Sequence, residues 1–210
     1  MNDEFEQVFV NSPLMAILRG MGVERSVKLA TTAWDLGIDS VEVPLQTPED
    51  ERALREVARL AGERGKVVGA GTIVTADQIP VARRAGARYL VSPGLDASLV
   101  LAAGQQGTPI LPGVATPSEV QAAASLGLRW LKAFPAHWLG PEWFKHMRGP
   151  FPRVRFVATG GMDATNAPDF LAAGARVVAV GSALEDPAQL TRLAELLKQR
   201  KEEAAGTWQA

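Results

Sequence analysis

The chain has 210 residues, enough for one large domain with a substantial core. Its 22 basic residues nearly balance 23 acidic ones, for a formal net charge of -1, so no whole-chain field marks nucleic acid or a membrane surface as a partner. Cysteine is absent, which excludes disulfides, thiolate metal sites and cysteine nucleophiles and fits a reducing compartment.

The amino-terminal stretch MNDEFEQVFV is acidic and lacks the basic and apolar regions of an export signal. No apolar stretch approaches the roughly 18 residues of a membrane span, and the chain reads as cytoplasmic. Residues 3–11 read as a helix ahead of the first strand. Short apolar runs then alternate with longer amphipathic segments: LMAILRG (14–20), SVEVPL (40–45), KVVGAGTI (66–73), ARYLVSPG (87–94), TPILPGV (108–114), LRWLKAFP (128–135), VRFVATGG (154–161) and ARVVAVGSAL (175–184). Between them lie helix-like stretches such as ERSVKLATTAWDLG, TADQIPVARRAG, TPSEVQAAASLG and DATNAPDFLAAG. Several of these open on Thr or Asp as N-cap and close on Gly as C-cap. The tail LTRLAELLKQRKEEAAG supplies the last helix.

Eight such runs, with no linker or composition break, predict one α/β domain over residues 1–210, a (β/α)8 TIM barrel with an N-terminal helix. The rival is an open doubly wound sheet. Its dinucleotide-binding version requires G-x-G-x-x-G after the first strand, where ILRGMGVERS has only a glycine pair.

In a parallel barrel, alternate residues of each strand face the helices and the interior, and active sites lie at the carboxyl ends of the strands. In SVEVPL, Val41, Val43 and Leu45 suit the helix layer, which turns Ser40, Glu42 and Pro44 inward. In LRWLKAFP, Leu131 and Ala133 face the helices, while Leu128, Trp130, Lys132 and Phe134 face inward. Arg19 shares a face with Met15 and Ile17 near the end of its strand. Thr72, Thr159 with Gly160-Gly161, and Gly181-Ser182 end three further strands, so the polar residues gather at one rim. Singly, each charge also fits a solvated rim residue. Glu42 with Lys132 also fits a buried structural ion pair, although such pairs often fail to stabilise a fold. His137 and His146 are too far apart for an i, i+4 metal pair and read as surface residues, and no metal site is predicted.

A lysine held in an apolar pocket loses the hydration that favours its ammonium form, and the neutral amine can then attack a ketone. The imine protonates to an iminium that accepts electrons as a neighbouring carbon bond breaks, the role a metal would otherwise fill. A carboxyl group facing the same cavity, here Glu42, shuttles the protons. The glycines after the seventh and eighth strands fall where barrel enzymes bind phosphate through backbone N–H groups, although glycine also simply makes tight turns.

On these residues the chain resembles the class I pyruvate aldolases that cleave 2-keto-3-deoxy-6-phosphogluconate or its galactonate epimer. AILRG, SVEVPLQTP, VVGAGTI, YLVSPG, ILPGVATPSE, LKAFPA, ATGGM and VGSAL occur in the family's order and spacing over nearly the whole chain. The resemblance implies that Lys132 forms the Schiff base and Glu42 transfers protons. It also implies that Arg19 and Thr72 hold the substrate carboxylate and that Gly160, Gly161, Gly181 and Ser182 receive the phosphate. Gln46, Pro93, Phe134 and Thr159 complete the implied substrate-binding set. The implied enzyme is a homotrimer without cofactor or metal. It acts on a small phosphorylated keto acid and releases pyruvate and D-glyceraldehyde 3-phosphate.

Two departures bear on the substrate. The gluconate enzymes look like Leu-Arg-Thr where this chain has Leu45-Gln46-Thr47, which leaves Arg19 alone as the carboxylate's arginine. The galactonate enzymes carry a small amide there, and their FPSSxxGP is closer to FPAHWLGP (134–141). Thr159 instead matches the gluconate branch, so tolerance of both epimers is expected. The alternatives are 4-hydroxy-2-oxoglutarate as substrate, a phosphosugar isomerase or epimerase with Glu42 as base, and a non-catalytic phospholigand-binding barrel.

Overall fold

The computed structural model describes residues 2–10 and 12–206, and in it the apolar runs lie side by side as parallel strands. These are β1 (Leu14–Ile17), β2 (Ser40–Pro44), β3 (Val67–Gly71), β4 (Tyr89–Val91), β5 (Ile110–Leu111), β6 (Gly113–Val114), β7 (Trp130–Ala133), β8 (Arg155–Thr159) and β9 (Val177–Val180). Their order is β5-β4-β3-β2-β1-β9-β8-β7-β6. The fifth predicted run is split at Pro112, which has no N–H to continue a ladder. Its first half pairs with β4 and its second with β7, so the two ends of the sheet are consecutive in the chain. One residue therefore joins the edges of a (β/α)8 barrel.

Outside the strands lie α1 (Phe5–Val8), α2 (Gly22–Leu36), α3 (Pro48–Glu63), α4 (Gln78–Arg84), α5 (Ala97–Gln105), α6 (Pro117–Ser125), α7 (Ala136–Arg148), α8 (Ala167–Ala172) and α9 (Pro187–Gly206). A short 3-10 turn, Ser182–Glu185, precedes α9. Thr47 with Asp50 and Thr116 with Glu119 form capping boxes that start α3 and α6. Thr75 does not cap α4 in this way. That helix starts at Gln78, after an Asp77 whose side chain makes no capping bond. No helix among the described residues is long and apolar enough to cross a membrane.

Strand alternation produces two separate apolar clusters. Leu14, Ala16, Leu18, Val41, Val43, Leu45, Leu131 and Ala133 pack with the helices. Met15, Ile17, Tyr89, Val91, Leu111, Trp130, Val157, Val177 and Ala179 fill the interior. The parity reading fails at Leu128, which packs with the outer cluster. It precedes β7, and its N–H bonds to Ala123 O at 3.2 Å in the turn that ends α6, so the strand's alternation has not yet begun. The predicted helix over 3–11 is a single turn, and residue 11 lies outside the described residues. Around that turn Phe5 packs 5.5 Å from the Tyr89 ring and Phe9 5.1 Å from Trp130. The Asn2 amide adds bonds to Trp130 O at 2.8 Å and Ile110 O at 3.2 Å. This segment plugs the amino end of the barrel and leaves the carboxyl ends for the site.

Candidate active site

Two buried charged groups face the upper interior. Glu42 stands in register with Ile17 and Gly69, and Lys132 with Gly113 and Val157. Glu42 is 1% exposed and Lys132 3%. Space for the carboxylate comes from Gly71, where a Cβ would lie 1.7 Å from Glu42 Oε1. Space beneath it is taken by Tyr89, whose ring passes 2.0 Å from where a Cβ of Gly69 would be. The phenol donates to Val41 O at 2.7 Å, so it is satisfied without Glu42. Glu42 Oε1 has no hydrogen-bond partner among the described residues, and a buried polar atom left in that state costs stability. The sequence reading did not single out Tyr89, nor did it see that Gly69 and Gly71 make room for the Tyr89 ring and Glu42. A signal was present in VVGAG, which has glycine at two of the three inward positions of β3.

Burial governs the protonation of both groups. Desolvation raises the Glu42 carboxyl above its ordinary range, against the opposing charges of Lys132 and Arg19. Desolvation lowers the Lys132 ammonium, opposed by Glu42 and assisted by Arg19. Both shifts favour the neutral forms of an acid and an amine that share one interior, which are the forms that proton donation and nucleophilic attack require. The Phe134 ring lies 5.0 Å from Lys132 Nζ. Trp130 instead points toward the plug, where its indole donates to Glu6 Oε1 at 2.9 Å.

The remaining predicted residues lie on the same rim. Arg19 is exposed, past the end of β1, and donates to Gln46 Oε1 at 2.8 Å. Thr72 follows β3 with φ 57°, left-handed backbone that β-branched residues avoid. Pro93 is exposed after β4, and its carbonyl passes 2.0 Å from where a Cβ of Gly113 would sit. Thr159 is 5% exposed and ends β8 in register with Ala179. Gly160 and Gly161 follow with φ 97° and 74°. Their carbonyls turn back into the protein, where Gly160 O accepts from the His137 N–H at 3.0 Å and Gly161 O from Asn166 Nδ2 at 2.9 Å. Gly181 sits against Ile17 O, and exposed Ser182 opens the 3-10 turn. His137 is exposed, as the sequence suggested, but its Cβ lies only 2.7 Å from where a Gly161 Cβ would be, which spacing in the chain does not reveal. Among the described residues no cluster of His, Cys, Asp or Glu could hold a metal ion.

A family model described as "Aldolase: KDPG and KHG aldolase" matches residues 5–196. The chain is 35% identical over 176 residues to a probable 2-dehydro-3-deoxy-6-phosphogalactonate aldolase of Rhizobium meliloti (strain 1021), covering 83% of this chain and 82% of that one. The fold superimposes on the 2-keto-3-deoxy-6-phosphogluconate aldolase of Zymomonas mobilis ZM4, solved with 3-phosphoglycerate. There the TM-score is 0.82 and the identity 31%, over 94% of this chain and 95% of that one. KDPG aldolase of Legionella pneumophila, solved with pyruvate captured as a covalent carbinolamine intermediate, matches with a TM-score of 0.78 and 31% identity, over 90% and 94% of the two chains. With a sequence match over this length and a shared barrel, the chain belongs to the family of KDPG and KHG aldolases.

Proposed function

We propose that this aldolase cleaves a 2-keto-3-deoxy-6-phospho sugar acid, in the gluconate or galactonate form, to pyruvate and D-glyceraldehyde 3-phosphate. The supporting observation is a lysine buried to 3% exposure, in the same interior as a buried glutamate whose Oε1 lacks a partner. The Lys132 amine attacks the C2 ketone, and loss of water with a proton from Glu42 gives the iminium. Glu42, now a carboxylate, takes the proton of the C4 hydroxyl as the C3–C4 bond breaks. The bond's electrons move into the iminium to form an enamine, and the aldehyde phosphate leaves. Glu42 returns its proton to C3, and water hydrolyses the iminium to free pyruvate and neutral Lys132, the proton released going back to the Glu42 carboxylate.

Arg19 and Thr72 hold the carboxylate end of the substrate, with Gln46 fixing the guanidinium. The phosphate lies against the backbone N–H groups of Gly160, Gly161 and Ser182; in support, the two glycines have left-handed φ and Ser182 opens a 3-10 turn. Gly181, Pro93 and Phe134 shape the walls, and Thr159 stands beside C4. The working unit is a homotrimer, which sedimentation velocity tests directly. Borohydride added with pyruvate should leave a reduced pyruvyl adduct on Lys132 by mass spectrometry; without an adduct the Schiff-base reading fails. Cleavage rates for the two epimers, compared with those of Thr159→Val, define the C4 preference.

A further inference from the structure

Three rim loops share one device, a side-chain oxygen that accepts from the backbone N–H groups three and four residues before it. In the loop after β2, Asp50 Oδ2 accepts from the N–H groups of Gln46 at 3.1 Å and Thr47 at 2.9 Å. In the loop after β6, Glu119 Oε2 accepts from those of Ala115 at 2.8 Å and Thr116 at 2.9 Å. In the loop after β3 an amide takes the same place, and Gln78 Oε1 accepts from Val74 at 2.7 Å and Thr75 at 3.1 Å. An ionised carboxylate only accepts, whereas an amide also donates. Gln78 Nε2 donates to Leu45 O at 2.8 Å and to Thr72 O at 3.4 Å. Leu45 precedes Gln46, which holds Arg19. Thr72 is the one non-glycine residue with positive φ among the described residues.

We propose that Gln78 is a positioning residue for the substrate carboxylate. By bonding the end of β2 to the loop after β3, it holds the left-handed Thr72 backbone and sets the separation between Thr72 and Arg19. This rests on the reading in which those two residues bind the carboxylate, and it extends that reading to a side chain that touches no substrate. The other two loops show why an amide is needed here: a carboxylate accepts from the two loop N–H groups but cannot make the bridge.

Gln78→Glu separates the two tasks, because glutamate keeps the acceptor for the Val74 and Thr75 N–H groups and turns lone pairs toward two carbonyl oxygens. The readout is the pyruvate concentration giving half-maximal borohydride trapping on Lys132, with thermal unfolding measured beside it. The variant should fold with a midpoint near wild type and need roughly 10- to 100-fold more pyruvate, in line with about 10²-fold for an ångström of misplacement. Trapping at saturating pyruvate should be retained, the pattern of lost binding rather than lost chemistry. Glu119→Gln, the reverse exchange in the loop after β6, should leave the concentration unchanged. A folded Gln78→Glu that traps at wild-type pyruvate overturns the proposal, as does an equal shift in Glu119→Gln. If Gln78→Glu does not fold, Gln78→Met, neutral and of similar length, carries the same expectation and the same refutation. Wild-type protein that forms no adduct at any pyruvate concentration removes the aldolase reading, and this proposal with it.

Discussion

Replacing Gly71 with alanine adds one methyl group to the inward face of β3. Its Cβ would lie 1.7 Å from Glu42 Oε1, 2.4 Å from Cδ and 2.7 Å from Cγ. Gly71 is strand backbone without a positive φ, so alanine fits the main chain and the carboxylate has to move. Ordinary contact begins near 3.4 Å, so Oε1 must withdraw by more than an ångström. Misplacing a reacting group by about 1 Å costs on the order of 10²-fold, and losing a general acid/base outright costs about 10²- to 10⁴-fold. Overpacking costs about 1–3 kcal/mol against a typical domain stability of about 5–15 kcal/mol, so the fold survives. The assay is deuterium exchange of the pyruvate methyl followed by proton NMR, with thermal unfolding and borohydride trapping as controls. Exchange should slow by roughly 10²-fold while the Lys132 adduct still forms, and Glu42→Gln should slow it at least as much. A folded Gly71→Ala variant that exchanges at the wild-type rate would refute Glu42 as the proton-transfer group in this position.

Gly69→Ala drives a Cβ to 2.0 Å from the Tyr89 ring, which Phe5 and the bond to Val41 O hold in place. The cost should reach the upper part of about 1–3 kcal/mol or exceed it; a denaturation midpoint no lower than that of Gly71→Ala would contradict this. Lys132→Met should form no pyruvyl adduct and should be more stable than wild type near neutral pH. Burial holds the native amine below its usual 10.5, so between the depressed value and 10.5 the unfolded chain binds more protons and wild-type stability rises with pH. The variant lacks that slope, so its advantage should shrink as pH climbs toward 10.5; parallel stability curves from about pH 6 to pH 10 would refute the shift. Gly161→Ala meets both a left-handed φ of 74° and the His137 Cβ at 2.7 Å. It should raise KM for the phosphorylated substrate by about 10-fold or more, equivalent to about 1.4 kcal/mol of binding, with pyruvate methyl exchange unchanged. An equal effect on both would remove the phosphate from that loop.

Much of this site was legible in one dimension because side chains alternate along a strand whatever the strand pairs with. Parity therefore put Glu42 and Lys132 inside and Val41, Val43, Leu131 and Ala133 outside, and it failed at Leu128, where the pleat had not begun. The capping boxes at Thr47 and Thr116 were equally readable, since their partners lie three residues away. Sequence alone thus determined the rhythm of the barrel, the rim on which the polar residues gather and which carboxyl group and which amine lie buried inside it. Tertiary structure decided what those groups can do. The protonation of Glu42 and Lys132 depends on how completely distant strands exclude water from them. The room for Glu42 depends on Gly71 of a neighbouring strand, and the bridge from Gln78 to Leu45 spans 33 positions of chain. No pattern of near neighbours encodes such quantities, because each is a sum over groups that become neighbours only when the barrel closes.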